Sequence, residues 1–437
     1  MNSFTVTFLL FTALSVLLLP RRWAPLALLA GACYITHYQR IEIGPFHFTV
    51  LRLLIAFGLV RVSMRGERLS GELNGLDRVI LVWAIWMLVS SYFHKDPTAE
   101  IITRLGFVYD ALGIYFLLRI FCRSLEDVKN LCFLTAILLV PVAIEMIYEQ
   151  LTFHNLFGLL GGGGEIPAIR EGRIRAQGPF AHAILAGIVG AVCLPLMVGI
   201  LKKQRKAAVA GFVACVIMIV ASASSGPIFS GFIAIGGLFL WRYHDQVRMR
   251  FVLWVAIIAY IALDIYMKDP AYFLIARMDV VGGSTGWHRA RLIQSAIEHL
   301  SEWWFAGTDY TRHWMATGVS WSLEHVDITN HYIGMGVTGG LPLMILFVLT
   351  IWWGFRYLGE LLRFLDKDAL EDKFFIWCIS CSLFAHVVSC ISVSYFDNSK
   401  FFLYLVLAMI SSAQTTIQKR TEVKILFQKS GAIFDDY

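Results

Sequence analysis

A polar cluster lies immediately before a long apolar stretch in the last third of the chain. Within it, Asp327 and His331 are four residues apart, a spacing that places two side chains on one face of a helix. A neighbouring carboxylate keeps an imidazole basic near neutral pH, which suits removal of a proton from a hydroxyl group. Asn330 and Tyr332 add further hydrogen-bonding groups. The cluster predicts either a general base, His331 or Asp327, or a helix cap at a membrane boundary.

Residues 287–307, WHRARLIQSAIEHLSEWWFAG, carry apolar residues at helical spacing and predict an amphipathic helix. Arg289 precedes Ile293 by four residues and shares its apolar face, whereas Arg291 lies about 200° round the helix. A guanidinium that faces the protein interior is costly unless an anion pairs with it. Arg289 is therefore expected to snorkel, to form a structural ion pair, or to bind an anionic ligand.

A second group of arginines precedes the apolar stretch that begins near residue 179. It consists of Arg170, Arg173 and Arg175. The planar fork of arginine binds phosphate oxygens through two parallel hydrogen bonds. Two separate loops that both offer arginine indicate a diphosphate ligand, and the alternative is a solvated loop that is merely basic.

The composition identifies the elements that must position these residues. The chain has 437 residues, of which 58% are hydrophobic and only 16% are charged, so it is not a soluble globule. Apolar runs long enough to cross the bilayer recur along the chain and predict an all-α polytopic membrane protein of about twelve or thirteen transmembrane helices. The predicted spans are 3–20, 23–37, 47–63, 78–94, 105–121, 129–148, 179–201, 206–222, 226–241, 251–267, 331–355, 374–396 and 400–415.

Charge distribution predicts the orientation of this single transmembrane domain, residues 1–437. Basic residues recur in alternate loops, which are therefore expected to be cytoplasmic. Two loops on the opposite side, 149–178 and 268–330, are too long to be simple connections, and the chemistry is expected there. The net charge of +6 lies mostly in short loops, so it indicates topology rather than binding to nucleic acid.

Three stretches of the chain carry a family resemblance. Residues 175–187, RAQGPFAHAILAG, are similar to an Arg-x-x-Gly-x-Phe-x-His-Pro-Asn-x-x-Gly motif, with Ala183 and Ile184 at the Pro and Asn positions. Residues 289–307 are similar to a stretch in which an Arg begins a helix that ends at a Gly. Residues 329–343, TNHYIGMGVTGGLPL, are similar to a His-Asn-x-Tyr-Leu motif with a Gly-rich step after it. Together they resemble the O-antigen polymerase and O-antigen ligase superfamily of bacterial inner-membrane glycosyltransferases.

The third stretch distinguishes the two branches of that superfamily. Asn330 and Gly340 match the family spacing, but Thr329 stands where the ligases have a His, and His331 comes two residues later. The departure favours the polymerase branch. It also leaves the role of base open between His331 and Asp327.

The resemblance implies a GT-C-type, inverting glycosyltransferase that uses an undecaprenyl-diphosphate-linked glycan as donor. Arg175 and Arg289 would hold the leaving diphosphate and offset its developing charge. A base would help an acceptor sugar hydroxyl attack the anomeric carbon. The resemblance implies no metal ion, nucleotide sugar or cofactor. Further substrate-binding residues implied by the matched stretches and loops are Arg173, His182, Arg291, Asn330 and Tyr332.

The same resemblance predicts a location and partners. The active site would face the periplasm, and the product would be an O-antigen, capsule or exopolysaccharide chain. A lipid-linked-glycan flippase and a chain-length regulator are the expected protein partners. The alternatives are an O-antigen ligase, which transfers the glycan to lipid A core, and a non-enzymatic exporter. Exporters usually place acidic residues deep in their spans, whereas Asp110, Glu145 and Asp264 lie nearer the span ends.

Overall fold

The computed structural model describes residues 1–159, 164–244, 258, 260–277, 286–320, 322–365 and 368–430. This part of the chain is mostly helical. Its α-helices in chain order are α1 (Ser3–Leu18), α2 (Pro25–Tyr34), α3 (Val50–Arg65), α4 (Gly75–Val89), α5 (Pro97–Phe121), α6 (Leu125–Thr152), α7 (Leu156–Leu159), α8 (Ala183–Gly199), α9 (Arg205–Ala221), α10 (Ser225–Phe239), α11 (Gly286–Glu298), α12 (Leu300–Trp303), α13 (His331–Phe364), α14 (Leu370–Ser392) and α15 (Lys400–Ser430).

Two short antiparallel hairpins interrupt the helices. Strands β1 (Arg40–Ile43) and β2 (Phe46–Thr49) form the first. Strands β3 (Ala168–Arg170) and β4 (Arg173–Arg175) form the second, with Arg170 opposite Arg173 and Ala168 opposite Arg175. The second hairpin lies in the 149–178 loop and carries its arginines.

Five of the described helical segments are long and apolar enough to cross a membrane. They are Gly75–Phe93, Pro97–Phe121, Leu125–Thr152, His331–Phe364 and Leu370–Ser392. The shorter helices α1 and α8 are also apolar. Every predicted span coincides with a helix where the structure describes it. In the span 251–267, residues 251–257 and 259 lie outside the described residues, and residues 258 and 260–266 are helical. The chain is therefore an all-α membrane protein, while the total of twelve or thirteen spans stays a prediction.

Helix α8 forms the centre of the bundle. Every residue from Ala183 to Met197 is buried, and the helix packs against α6, α9, α10 and α14. Small residues permit this close approach, since a side chain at Gly187 would collide with Pro227 and with the hydroxyl of Ser222. The helix is apolar all round because it has no lipid-facing or solvent-facing side.

Helix α13 is broken near its start, and the break holds the large loop against the bundle. Gly340 has φ +76° and ψ −177°, a conformation that is essentially restricted to glycine. The backbone groups exposed by the break find partners elsewhere. Leu341 N donates to the carbonyl of Trp304 at 2.8 Å, and Trp86 Nε1 donates to the carbonyl of Gly339 at 2.7 Å.

A second set of contacts attaches the large loop to the helix bundle at Asp309. One oxygen of its carboxylate lies 2.5 Å from His94 Nδ1, and the other accepts from Lys95 N at 2.8 Å. Arg104 contacts the other ring nitrogen of His94 at 2.7 Å. These contacts join the loop to the connection between α4 and α5, so the helices that follow residue 286 have a fixed place on the bundle.

Candidate functional site

A polar cavity of about 230 Å³ lies where both long loops meet the ends of the membrane helices. The β3–β4 hairpin, the start of α8 and the turn between α9 and α10 form one side. The start of α11, the stretch before α13 and the stretch after α14 form the other. Its charged and polar lining residues are Arg170, Arg175, His182, Ser224, Ser225, Arg289, Asp327, Thr329, Ser392 and Ser394.

Arg175 reaches the cavity from the end of β4. The carboxylate of Glu149 accepts hydrogen bonds from the backbone N–H groups of Gln177 and Gly178, each near 3.0 Å, and fixes the chain just beyond β4. The Arg175 side chain is 6% exposed and donates to Ser224 Oγ at 2.7 Å. Its Nε is buried without a hydrogen-bond partner among the described residues. A buried guanidinium N–H of this kind is available to an anionic ligand.

Electrostatic repulsion accompanies this burial. Burial and the charges of Arg170 and Arg289 lower the pKa of Arg175 to about 10. The guanidinium therefore keeps its charge at neutral pH, but at a free-energy cost that a bound anion would offset.

Arg289 occupies the first turn of α11 on its buried face. It is 8% exposed, and its Nε donates to the carbonyl of Ser392 at 2.9 Å. Burial and the charge of Arg170 lower the pKa of Arg289, while Asp327 raises it. Arg291 projects from another face, with 42% of its side chain exposed, and lies 3.6 Å from Glu298. The predicted division into a buried Arg289 and an outward Arg291 is confirmed. The substrate-binding position expected for Arg291 is not supported, because Arg291 lies on the exposed face of the helix and does not line the cavity.

The amphipathic helix predicted for residues 287–307 is confirmed, but it is shorter than predicted. Helix α11 ends at Glu298, and the four-residue α12 follows after His299. Trp303 Nε1 donates to the carbonyl of Ala296 at 2.9 Å across the bend. The bend turns the chain toward the break in α13.

The two arginines that flank the hairpin turn, Arg170 and Arg173, differ in their relation to the cavity. Glu171 and Gly172 both have positive φ, 49° and 74°, as in the tight turns typical of two-residue hairpin loops. Arg170 lines the cavity, whereas Arg173 is exposed beside the turn and does not. The substrate-binding position expected for Arg173 therefore falls on Arg170, its cross-strand partner on the other side of the turn.

His182 lines the cavity as the N-cap of α8. Its Nδ1 accepts the backbone N–H of Ile184 at 3.2 Å, so a neutral ring carries its proton on Nε2. This tautomer makes His182 a hydrogen-bond donor toward a ligand.

The expected pairing of Asp327 with His331 on one helix face was wrong. Helix α13 begins at His331, so Asp327 precedes the helix, and the side-chain amide oxygen of Asn330 caps it by accepting Ile333 N at 3.1 Å. Asp327 is exposed and lines the cavity. The carbonyl of Asp327 accepts a hydrogen bond from His288 Nε2 at 3.0 Å, which joins this stretch to α11.

His331 has other partners. Its Nδ1 accepts the backbone N–H of Tyr395 at 3.3 Å and lies 3.2 Å from Ser394 Oγ. The ring is 6% exposed and packs edge-on against Phe347. His331 does not line the cavity, because the helix start turns it toward the segment after α14.

Two further residues that were expected to bind substrate instead stabilise the start of α13. Asn330 is its N-cap, and Tyr332 donates its hydroxyl to the carbonyl of Val387 at 3.1 Å. Neither lines the cavity. Conversely, sequence reasoning missed Ser224 and Thr329 as lining residues. Thr329 Oγ1 is buried without a partner in the described part of the chain. The sequence marked Thr329 only as the residue at the His position of the ligases, and Ser224 carries no signal because isolated Ser residues are common.

An apolar pocket of about 120 Å³ adjoins the polar cavity and shares Ser225, Arg289 and Ser392 with it. Its apolar lining residues include Phe229, Ile275, Val388 and Ile391. Arg289 is the charged member of these three residues, and it lies where the arginine-lined cavity meets the apolar pocket.

These features define an all-α membrane protein with an arginine-lined cavity at the ends of its helices. Comparison with protein-family models, curated proteins and solved structures finds no match for the chain. The fold and the cavity are therefore interpreted from their own geometry.

Proposed function

We propose that this protein is a bacterial inner-membrane glycosyltransferase that polymerises undecaprenyl-diphosphate-linked repeat units into a surface polysaccharide. The observation that carries the proposal is the convergence of Arg170, Arg175 and Arg289 on one cavity. The resemblance of residues 175–187 and 289–307 to O-antigen polymerases and ligases supports it. In this proposal the fold is of GT-C type.

The arginines fit a diphosphate leaving group. Three guanidinium groups around one small cavity repel each other, and an anion bound between them would offset the cost of that repulsion. The unpartnered Nε of Arg175 offers a donor to such an anion. As the glycosidic bond breaks, negative charge grows on the diphosphate, and fixed donors in a partly dry site stabilise that charge.

The apolar pocket fits the first part of a lipid chain. A lipid diphosphate joins a doubly charged group to a hydrocarbon, and Arg289 lies between compartments of these two characters. A free nucleotide would leave the apolar pocket without a role. This arrangement favours a lipid-linked donor over a nucleotide sugar.

Asp327 is the best-placed general base. Asp327 lines the cavity and is exposed, whereas His331 is buried with its Nδ1 lone pair engaged. In the proposed step the acceptor hydroxyl oxygen attacks the anomeric carbon and its proton passes to Asp327. The bond from that carbon to the diphosphate breaks, and the diphosphate leaves with the electron pair. Attack from the face opposite the leaving group inverts the anomeric configuration.

The decisive experiment supplies tag-free, purified protein with lipid-linked repeat units alone. A polymerase extends them into longer lipid-linked chains. The Arg289→Ala variant should lose this activity, and Arg291→Ala should keep it. Transfer to lipid A core without chain extension would instead identify a ligase, and no transfer to either acceptor would overturn the proposal.

The proposal also requires both long loops to face the periplasm, where the assembled lipid-linked glycan is presented. Reporter fusions after residues 165 and 315 should be active only in the periplasm. Fusions after Lys206 and Arg363 should be active only in the cytoplasm. Residue 315 on the cytoplasmic side would contradict the mechanism.

A further inference from the structure

A compact group of metal-binding side chains lies on the large loop, apart from the residues that line the cavity. One ring nitrogen each from His299 and His313 and one carboxylate oxygen of Glu302 lie within 4.8 Å of one another. Glu302 accepts from His299 Nδ1 at 2.8 Å and from His313 Nε2 at 3.0 Å. All three side chains are partly exposed, so an ion from solution reaches them.

Aromatic packing fixes the two imidazole rings. His299 stacks on Trp314, with the centroids 5.8 Å apart and the planes at 6°. His313 stacks on Tyr310, at 5.0 Å and 11°. The two imidazoles stand nearly perpendicular, at 85° with the centroids 4.7 Å apart. Ligands that are held in place before binding lose little freedom when the ion arrives.

The carboxylate is oriented as well. The indole Nε1 of the buried Trp314 donates to Glu302 Oε2 at 3.1 Å. A partner that orients a ligating carboxylate in this way is the usual support of a metal ligand.

We propose that His299, Glu302 and His313 bind a divalent transition-metal ion of the zinc type. Two imidazoles and a carboxylate are a common ligand set for zinc, and water completes a tetrahedron. Ligand atoms around one zinc ion are roughly 3.3 Å apart for bonds near 2.05 Å. The three atoms therefore need only small side-chain movements to close on an ion. Each imidazole would bind through the nitrogen that faces Glu302 and carry its proton on the other ring nitrogen, so the ion takes the place of the two hydrogen bonds.

The ion would link the end of α11 to the 3₁₀ segment Arg312–Trp314. These two elements already touch, since Ser295 Oγ donates to the carbonyl of Trp314 at 2.9 Å. A metal bond between residues 302 and 313 closes the intervening loop and stabilises the folded arrangement of the helix that carries Arg289. The bound ion would therefore stabilise the fold of this part of the large loop, and this role does not depend on the reaction that takes place in the cavity.

Metal titration of the full-length, tag-free protein tests this directly. Isothermal titration with Zn²⁺ should show one site per chain, and Co²⁺ should give the visible absorption of a tetrahedral nitrogen–oxygen site. His313→Ala and Glu302→Gln should each weaken binding by at least about tenfold. Zn²⁺ should raise the thermal midpoint of the wild type more than that of either variant.

The matched control is His154→Ala, which removes an exposed histidine far along the chain and should bind Zn²⁺ like the wild type. Wild-type protein without a stoichiometric site, or equal binding by wild type and His313→Ala, would overturn the proposal. Glu302→Gln keeps a similar shape and a hydrogen-bond acceptor for Trp314, so it separates loss of the ligand from loss of the fold. The readout is binding, so it is independent of glycosyl transfer.

Discussion

Arg175 and Arg289 belong to different loops, yet they line one cavity, and within the described residues their side chains hydrogen-bond to neutral groups. Arg175 donates to a serine hydroxyl and Arg289 to a backbone carbonyl. Both hydrogen-bond partners are neutral, and the charge of Asp327 only partly offsets the burial of Arg289 and its repulsion by Arg170. Such an arrangement is costly for folding and is therefore typical of a site for an anion.

Arg289→Ala should lower turnover of the lipid-linked donor by about 10²–10³-fold, because it removes a fixed donor to the developing charge. Arg291→Ala is the matched control on the same helix and should have a much smaller effect, since that side chain is exposed. The measurement is the rate of chain extension at equal amounts of folded protein. Equal losses in the two variants would remove the distinction between the two helix faces.

Arg175→Lys should weaken donor binding although it keeps the positive charge. Lysine lacks the planar fork, so the contacts made by Nε and by the terminal nitrogens are not reproduced together. Arg173→Lys, at the exposed tip of the same hairpin, should bind the donor like the wild type. Titration with a lipid diphosphate measures both variants, and unchanged affinity in Arg175→Lys would argue against a bidentate contact.

Asp327→Asn should abolish chain extension, because the amide cannot accept the proton of the acceptor hydroxyl. His331→Gln should remain active, since glutamine retains a hydrogen-bonding group toward Tyr395 and Ser394. The two variants are compared at saturating donor. The reverse order of activities would assign the base to His331 and would require that helix start to rearrange when substrate binds.

Asp309→Asn should loosen the large loop. Burial raises the pKa of Asp309, but hydrogen bonds from Lys95 N and His94 and their charges outweigh it and lower the pKa below 3.8 overall. The ionised form is therefore the one that the fold stabilises. This contribution is complete well above pH 3.8 and is lost as the pH falls through the lower, folded-state value.

Hydrogen exchange at neutral pH should consequently be faster in residues 300–311 of Asp309→Asn than in the wild type. Asp269→Asn, an exposed position of the same loop, serves as the control. The stability difference between wild type and Asp309→Asn should shrink as the pH is lowered through and below 3.8. A difference that is constant over that range would show that the charge of Asp309 does not hold the loop.

Gly340→Ala should destabilise the protein by about 1–3 kcal/mol, because essentially only glycine adopts the backbone conformation of this position. A side chain there would also collide with the carbonyl of Phe305. Gly236→Ala, where an added methyl group meets nothing within 4 Å, should be nearly neutral. Thermal unfolding of the two variants gives the comparison, and similar midpoints would contradict the packing seen at the break.

Much of the candidate site could be predicted from the sequence because helical periodicity is a local property. The apolar residues that follow Arg289 set which face of α11 is buried, and this placed Arg289 inward and Arg291 outward. The relation between Asp327 and His331 was wrong for a related reason. Their spacing has meaning only inside a helix, and the cap at Asn330 starts the helix too late to include Asp327.

The sequence by itself determined the class of protein and the membrane helices, because long apolar runs have few alternatives to helices in a bilayer. It also determined that two loops are rich in arginine. Only the tertiary structure decided that Arg170, Arg175, Arg289 and Asp327 face one cavity, because packing around α8 brings distant loops together. The tertiary structure likewise brings His299, Glu302 and His313 together. The turn that returns residue 313 to the end of α11 depends on contacts that no local sequence pattern encodes.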